Sequence, residues 1–183
     1  MRATINAIPT VSARLCRVAA ALAALAAAAF LAFETYCWLV PADHDGNIRA
    51  SMGQYLGLIT VTPVARLLGC VVNLLHVALL ALALWSARAL LLRFASGEVF
   101  EIETGVVLRR FGKALLAYAA LIPVVNSMTL LIVTLSNPPG ERALGFGIGS
   151  QEITLALVSV VILVTGSVMA DAARMAADHR QIV

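Results

Sequence analysis

The chain has 183 residues, enough for one domain, with 61% hydrophobic and only 13% charged residues. Ordinary soluble domains carry about 25% charged residues, so a chain this poor in charge cannot cover a water-facing surface. The net charge of +3 does not signal direct nucleic-acid binding, because the basic residues sit at the ends of apolar runs, where lipid headgroups and topology account for them.

A helix needs roughly 20 apolar residues to cross the ~30 Å hydrocarbon core. Four stretches qualify, at about residues 18–40, 67–92, 114–135 and 153–170. Each is apolar around its whole circumference, as a lipid-embedded helix is. The expected fold is therefore all-α, an integral membrane four-helix bundle.

The first span follows Arg14 and Arg17 and contains the small residues Ala26, Ala27, Ala28 and Ala29, as a secretory signal would. Its apolar run continues through Phe30, Leu31 and Phe33 to Trp38, Leu39 and Val40. That is longer than a signal core, so an uncleaved helix is expected. Glu34 lies inside this span. A carboxylate in the membrane is costly and usually faces the bundle interior or water. It reads either as a proton or cation site or as a group reaching toward the outer interface.

A loop at about 41–66 follows. It opens with the turn-rich run from Pro41 to Asn47, and residues 55–64 form an apolar piece too short to cross. That piece is expected at the interface, with Pro63 interrupting it before the second span. In the second span Asn73 and His76 are three apart and share a helix face, with Cys70 one step before them. Histidine can act as a pH sensor; the plainer reading is interhelical hydrogen bonding. Zinc needs three or four convergent ligands. His44 and His179 fall on opposite sides of the membrane, so no metal or cofactor is expected. Cys16, Cys37 and Cys70 show no paired spacing and read as small buried hydrophobes.

The segment between the second and third spans, about 93–113, contains Ser96-Gly97, which breaks the helix, and then a helical lead-in from about Ile102 to Gly112 with Thr104 as its N-cap. Glu98, Glu101 and Glu103 lie close in sequence to Arg109, Arg110 and Lys113, with Val99 and Phe100 exposed unless something covers them. These residues read as a partner-binding surface or as an interfacial connection, with Phe100 in lipid and the arginines at anionic headgroups. In the third span Pro123 precedes Asn126, Ser127 and Thr129. A kink with hydroxyls satisfying freed backbone is the structural reading; a broken helix of the transporter type is the functional one.

The last loop, about 136–152, carries Pro138-Pro139-Gly140 and then Gly145, Gly147 and Gly149. A phosphate-binding loop needs a preceding strand and, in the Walker type, a lysine. Neither is present, and the segment is expected as a flexible outer turn. On the fourth span Gly166, Ala170, Ala173 and Ala177 share one face. Small residues let helices approach closely, which serves internal packing or a homo-oligomer alike.

Ten of the thirteen Arg and Lys residues fall on the side of the two termini and the 93–113 segment. The positive-inside rule puts that side in the cytoplasm. No nucleophile–base pair lies at one membrane depth, so no catalytic residues and no enzyme are expected.

The run Gly97-Glu98-Val99-Phe100, then Thr104, then Arg109-Arg110-Phe111-Gly112 opening a hydrophobic span, resembles a bacterial four-helix inner-membrane family of unknown function (DUF2975-like). The resemblance covers residues 15–183 and includes a short charged tail closing on Gln181-Ile182-Val183. Members have four helices and a Gly-Glu-Ile/Val-Phe motif before the third. They carry no assigned enzymatic activity and are often encoded beside a small helix-turn-helix regulator. What the resemblance implies is a bacterial inner-membrane protein whose cytoplasmic segment holds a soluble DNA-binding regulator, with Val99, Phe100, Arg109 and Arg110 as contacts. The alternative is a small oligomeric transporter or channel with Glu34, Asn73, His76 and Asn126 lining a polar path.

Overall fold

The structure is a computed structural model that describes residues 10–40 and 61–181, with the side chains of residues 12–40 and 61–178. Four helices account for nearly all of them: α1 (Thr10–Leu39), α2 (Pro63–Ser96), α3 (Ile102–Thr134) and α4 (Ser150–Gln181). All four are long and apolar enough to cross a membrane, and the described residues hold no strand. The protein is a multi-pass membrane protein. The turn-rich stretch at 41–47 and most of the apolar piece at 55–64 lie outside the described residues.

Each helix end has a local cause. Pro63 opens α2. Its fixed backbone suits the first helical position, where the missing N–H has no partner to lose. Thr62 is the N-cap, its hydroxyl accepting the Ala65 N–H at 3.2 Å. At the other end Gly97 adopts the left-handed conformation (φ 89°). The Glu98 N–H reaches the Arg93 carbonyl at 3.0 Å and the Gly97 N–H reaches Phe94 at 3.2 Å. These paired bonds close the helix as a Schellman motif.

Thr104 is not the N-cap of α3. That position belongs to Glu101, whose side chain makes no capping bond. The capped turn delivers the chain into helix earlier than the threonine. Thr104, fully buried, instead donates its hydroxyl to the Glu98 carbonyl at 2.6 Å and holds the turn shut. The 93–113 segment is accordingly almost all helix, with a connection of only residues 97–101.

The helices pack in chain order, α1 on α2, α2 on α3 and α3 on α4. Between α1 and α2 the indole of Trp38, 2% exposed, packs against Gly69. A Cβ at residue 69 would overlap the ring. Cys70 and Val133 complete this core. Between α3 and α4 the seam is made by the absence of side chains. A Cβ on Gly105 would come within 2.6 Å of the Ala170 backbone, one on Gly112 within 2.9 Å of Leu163, and one on Gly166 within 2.7 Å of Arg109. Gly166 and Ala170 therefore serve internal packing. Backbones this close are how membrane helices gain van der Waals contact without a hydrophobic driving force.

The apolar stretches of three helices have one common length. From Arg17 to Leu39, from Arg66 to Arg88 and from Lys113 to Leu135 the rise is about 33 Å at 1.5 Å per residue, close to the ~30 Å core. At the C-terminal edge of the apolar stretch of α2 the Arg88 guanidinium sits 4.9 Å over the Trp85 ring, a pairing suited to the headgroup level. Beyond that edge α2 and α3 continue for roughly 12–16 Å as a helical platform.

α4 does not share this register. The glycine contacts set Leu163 against Gly112 and Ala170 against Gly105, so Ser150 stands near Val125, about 13 Å short of the end of α3. The preceding loop makes up the difference by running back along α3. Ala143 exchanges bonds with the Thr134 hydroxyl, its N–H donating at 3.1 Å, and the Gly145 carbonyl lies 2.6 Å from the Ser127 hydroxyl. The glycine-containing stretch is thus a pinned re-entrant segment and not a free outer turn. Leu144, Phe146 and Ile148, all more than half exposed, face outward from it. Irregular backbone at membrane depth requires protein partners for its polar groups, and Ser127 and Thr134 supply two.

Candidate functional site

Two regions concentrate polar chemistry. The first is the intramembrane set. Glu34 accepts a hydrogen bond from the Trp38 indole N–H at 2.9 Å, one helical turn along α1. Asn73 donates to the Gly69 carbonyl at 2.9 Å and to the Thr129 hydroxyl on α3 at 3.2 Å. The His76 ring stacks on Tyr118, with centroids 4.3 Å apart and 6° between planes, and its Nε2 lies 3.2 Å from the Tyr118 carbonyl. Asn73 and His76 therefore each make a polar contact from α2 to α3. Such bonds couple by about 0.6 kcal/mol and at most about 2 kcal/mol. A double-mutant cycle on Asn73→Ala and Thr129→Ala, read by denaturation in mixed micelles, is expected to return a value in that range. A coupling near zero would remove this contact from the account.

Asn126 stands apart from that set. By helical phase it shares a face with Ala119, Thr129, Leu130 and Val133, all buried, yet Asn126 itself is exposed and no described residue hydrogen-bonds it. The packed face of α3 is open at this level. Three further features meet at the same depth: Pro123 inside the helix, the start of α4, and Glu152, whose carboxylate accepts the Gly149 N–H at 2.8 Å. Proline at 123 removes the amide that would bond the Ala119 carbonyl, while Ser127 donates back toward Pro123 (2.7 Å) or Gly145. The amide missing at Pro123 and the start of α4 therefore lie at one depth. Tyr118 and Glu152 join the polar residues that reading one span at a time did not single out.

The second region is the platform at the α2–α3 turn. Glu98, Glu101 and Glu103 do not pair with Arg109, Arg110 or Lys113. All three converge on Arg93 of α2, Glu98 at 3.1 Å, Glu101 at 3.9 Å and Glu103 in closest contact. The Schellman turn explains this, because it sets residues 93 and 98 against each other, and the Arg93–Glu98 pair occupies the place that an apolar contact often takes. With carboxylates 41–72% exposed, these pairs contribute under about 1 kcal/mol each; their role is to fix where the carboxylates point. Phe100 projects from the turn at 82% exposure, and Val99 is half-buried. Arg109 runs against Gly166, and Arg110 is exposed about 12 Å along α3 from the turn. A groove of about 320 Å³ opens between the start of α3 and the end of α4, lined by Phe100, Glu101, Ile102, Glu103, Ala173 and Ala177.

Among the described residues no group of three or more His, Cys, Asp or Glu could hold a metal. No family model matches the chain, and neither does any curated protein or any solved structure.

Proposed function

We propose that this is a non-enzymatic regulatory or interaction protein of a bacterial inner membrane, with both termini and the α2–α3 turn in the cytoplasm. There the turn binds a soluble partner such as a helix-turn-helix transcription regulator. The observation that carries the reading is Phe100. A large aromatic side chain is held almost wholly in solvent on a turn closed at both ends by hydrogen bonds. Exposed aromatic anchors on rigid supports are what interfaces use, and the ordering cost is already met by the fold. Val99 and Phe100 supply the apolar anchor, and Arg109 and Arg110 a basic flank nearer the lipid. The orientation rests on the ten-to-three distribution of Arg and Lys, and the regulator on the resemblance of residues 97–112. A regulator held there has reduced access to DNA.

The test is affinity purification of the tagged chain from crosslinked native membranes, beside a Phe100→Asp/Arg109→Glu/Arg110→Glu variant at equal abundance. A DNA-binding regulator is expected with the native chain and lost with the variant. No specific soluble partner with either chain would overturn this reading.

One observation favours a second reading, a small oligomeric transporter or channel. Pro123 within α3, the start of α4, Glu152 and the open position of Asn126 share one membrane depth, and transporters place polar groups and unbonded backbone at such a depth to meet a solute. Proteoliposomes carrying Glu34→Ala, His76→Ala or Asn126→Ala would then lose a flux that the native chain supports.

A further inference from the structure

The groove beside the turn has a definite chemistry. Its floor is apolar, from Ile102 on α3 and Ala173, Ala176 and Ala177 on α4, and Phe100 forms one wall. Its rim is acidic, because Glu101 and Glu103 line the same opening. Arg93 holds these two and Glu98 from the α2 side, so three carboxylates share one guanidinium and the rim keeps a net negative charge. Asp178, exposed near the end of α4, adds to it, while Asp171 is paired with Arg174 at 3.5 Å. The basic residues of α3 lie elsewhere: Arg109, the nearest, is about 10 Å further along the helix. Charge is thus layered along the platform, with a basic belt at the lipid and an acidic crown at the tip.

An acidic crown is repelled by anionic headgroups, so it favours a partner over the membrane surface. We infer that the groove is the docking site for a cationic amphipathic helix of a soluble protein, whose apolar side chains enter between Phe100 and the α4 alanines while its Lys or Arg residues meet Glu101 and Glu103. The alanines leave the floor open to large side chains, as in helix-in-groove recognition. Opposite charge at the rim sets partner choice and association rate more than final affinity. This rests on the interaction reading given above and specifies it. Glu101 and Glu103 become contacts, and the surface captured on the partner is its basic one, the kind that contacts DNA phosphates.

The probe is a fluorescent amphipathic helical peptide built from Lys and Leu alone, titrated onto the full chain in nanodiscs of zwitterionic phosphatidylcholine. Empty nanodiscs give the background. Saturable binding that weakens with salt is expected. Glu101→Lys/Glu103→Lys is expected to lower affinity by about tenfold or more, and Ala176→Trp, which fills the groove without touching charge, by a similar factor. Glu141→Lys, at the opposite end of the bundle, should change nothing. Circular dichroism of each variant confirms that it is folded. Binding no greater than to empty nanodiscs would overturn the inference, and so would equal affinity for native and charge-reversed chains, or preference for a Glu/Leu peptide. The two proposals separate in the crosslinking experiment. A regulator captured equally by the native and the Glu101→Lys/Glu103→Lys chains would leave the interaction reading standing and remove the groove from it.

Discussion

Replacing Gly105 with leucine is expected to separate α3 from α4 and to destabilise the protein by about 3 kcal/mol. Even a methyl group at residue 105 would lie within 2.8 Å of the backbone and side chain of Ala170. Backbone cannot rotate away as a side chain can, so the helices must move apart. Gly112 and Gly166 share the seam, and they lose their close contacts with it. Hydrophobic burial does not compensate within lipid, where tails are as apolar as leucine. Denaturation by SDS in mixed micelles, followed by circular dichroism, gives the comparison. Gly147→Ala is the matched control, because nothing lies within 4 Å of its new methyl group. It is expected to stay within about 0.5 kcal/mol of the native chain. A Gly105→Leu chain as stable as native would mean that α4 does not sit in the register described.

The second large effect is at the other end of the bundle. Trp38→Ala is expected to cost about 3–5 kcal/mol. The indole is the largest side chain between α1 and α2, and Gly69, Cys70 and Val133 close around it. α1 packs chiefly on α2, so little else holds it. Trp38→Phe separates the two roles of the ring. Much of the packing survives, but Glu34 loses its 2.9 Å indole donor. Glu34 is half-buried, so losing this partner costs toward the lower end of roughly 1–3 kcal/mol, and the phenylalanine chain is expected to fall between native and alanine. Loss of stability by Trp38→Ala no larger than by an exposed Leu25→Ala would contradict the assigned core.

The four spans were legible in the sequence because the hydrocarbon thickness demands a run of apolar residues and little else meets that demand. The break at Gly97 was legible too, since only a residue without Cβ takes the left-handed turn there comfortably. The register of α4 was not. It depends on Gly105, Gly112 and Gly166 meeting across two helices, and one chain of letters does not say which glycine faces which residue. For the same reason the loop with Gly145 read as a free turn. Its hold on the bundle comes from Ser127, eighteen positions earlier in the chain. Within the intramembrane set, Asn73 and His76 were placed on one face by spacing alone, but Thr129 and Tyr118 as their partners require the packing of α2 on α3. At the platform, sequence proximity pointed the glutamates to the arginines that follow them. The Schellman turn folds the chain back and gives them Arg93 instead.

The central claim is that the α2–α3 turn faces the cytoplasm, where a soluble partner can reach Phe100. It is tested most directly by site-specific labelling. In a chain with Cys16, Cys37 and Cys70 replaced by alanine, Phe100→Cys is exposed to a membrane-impermeant maleimide in right-side-out and in inverted vesicles. Glu141→Cys, in the α3–α4 loop, is labelled in parallel. The account requires Phe100→Cys to react only in inverted vesicles and Glu141→Cys only in right-side-out ones. Reaction of both positions from the same face would contradict the bundle's threading, and reaction of Phe100→Cys from outside would put the turn beyond the reach of any cytoplasmic protein.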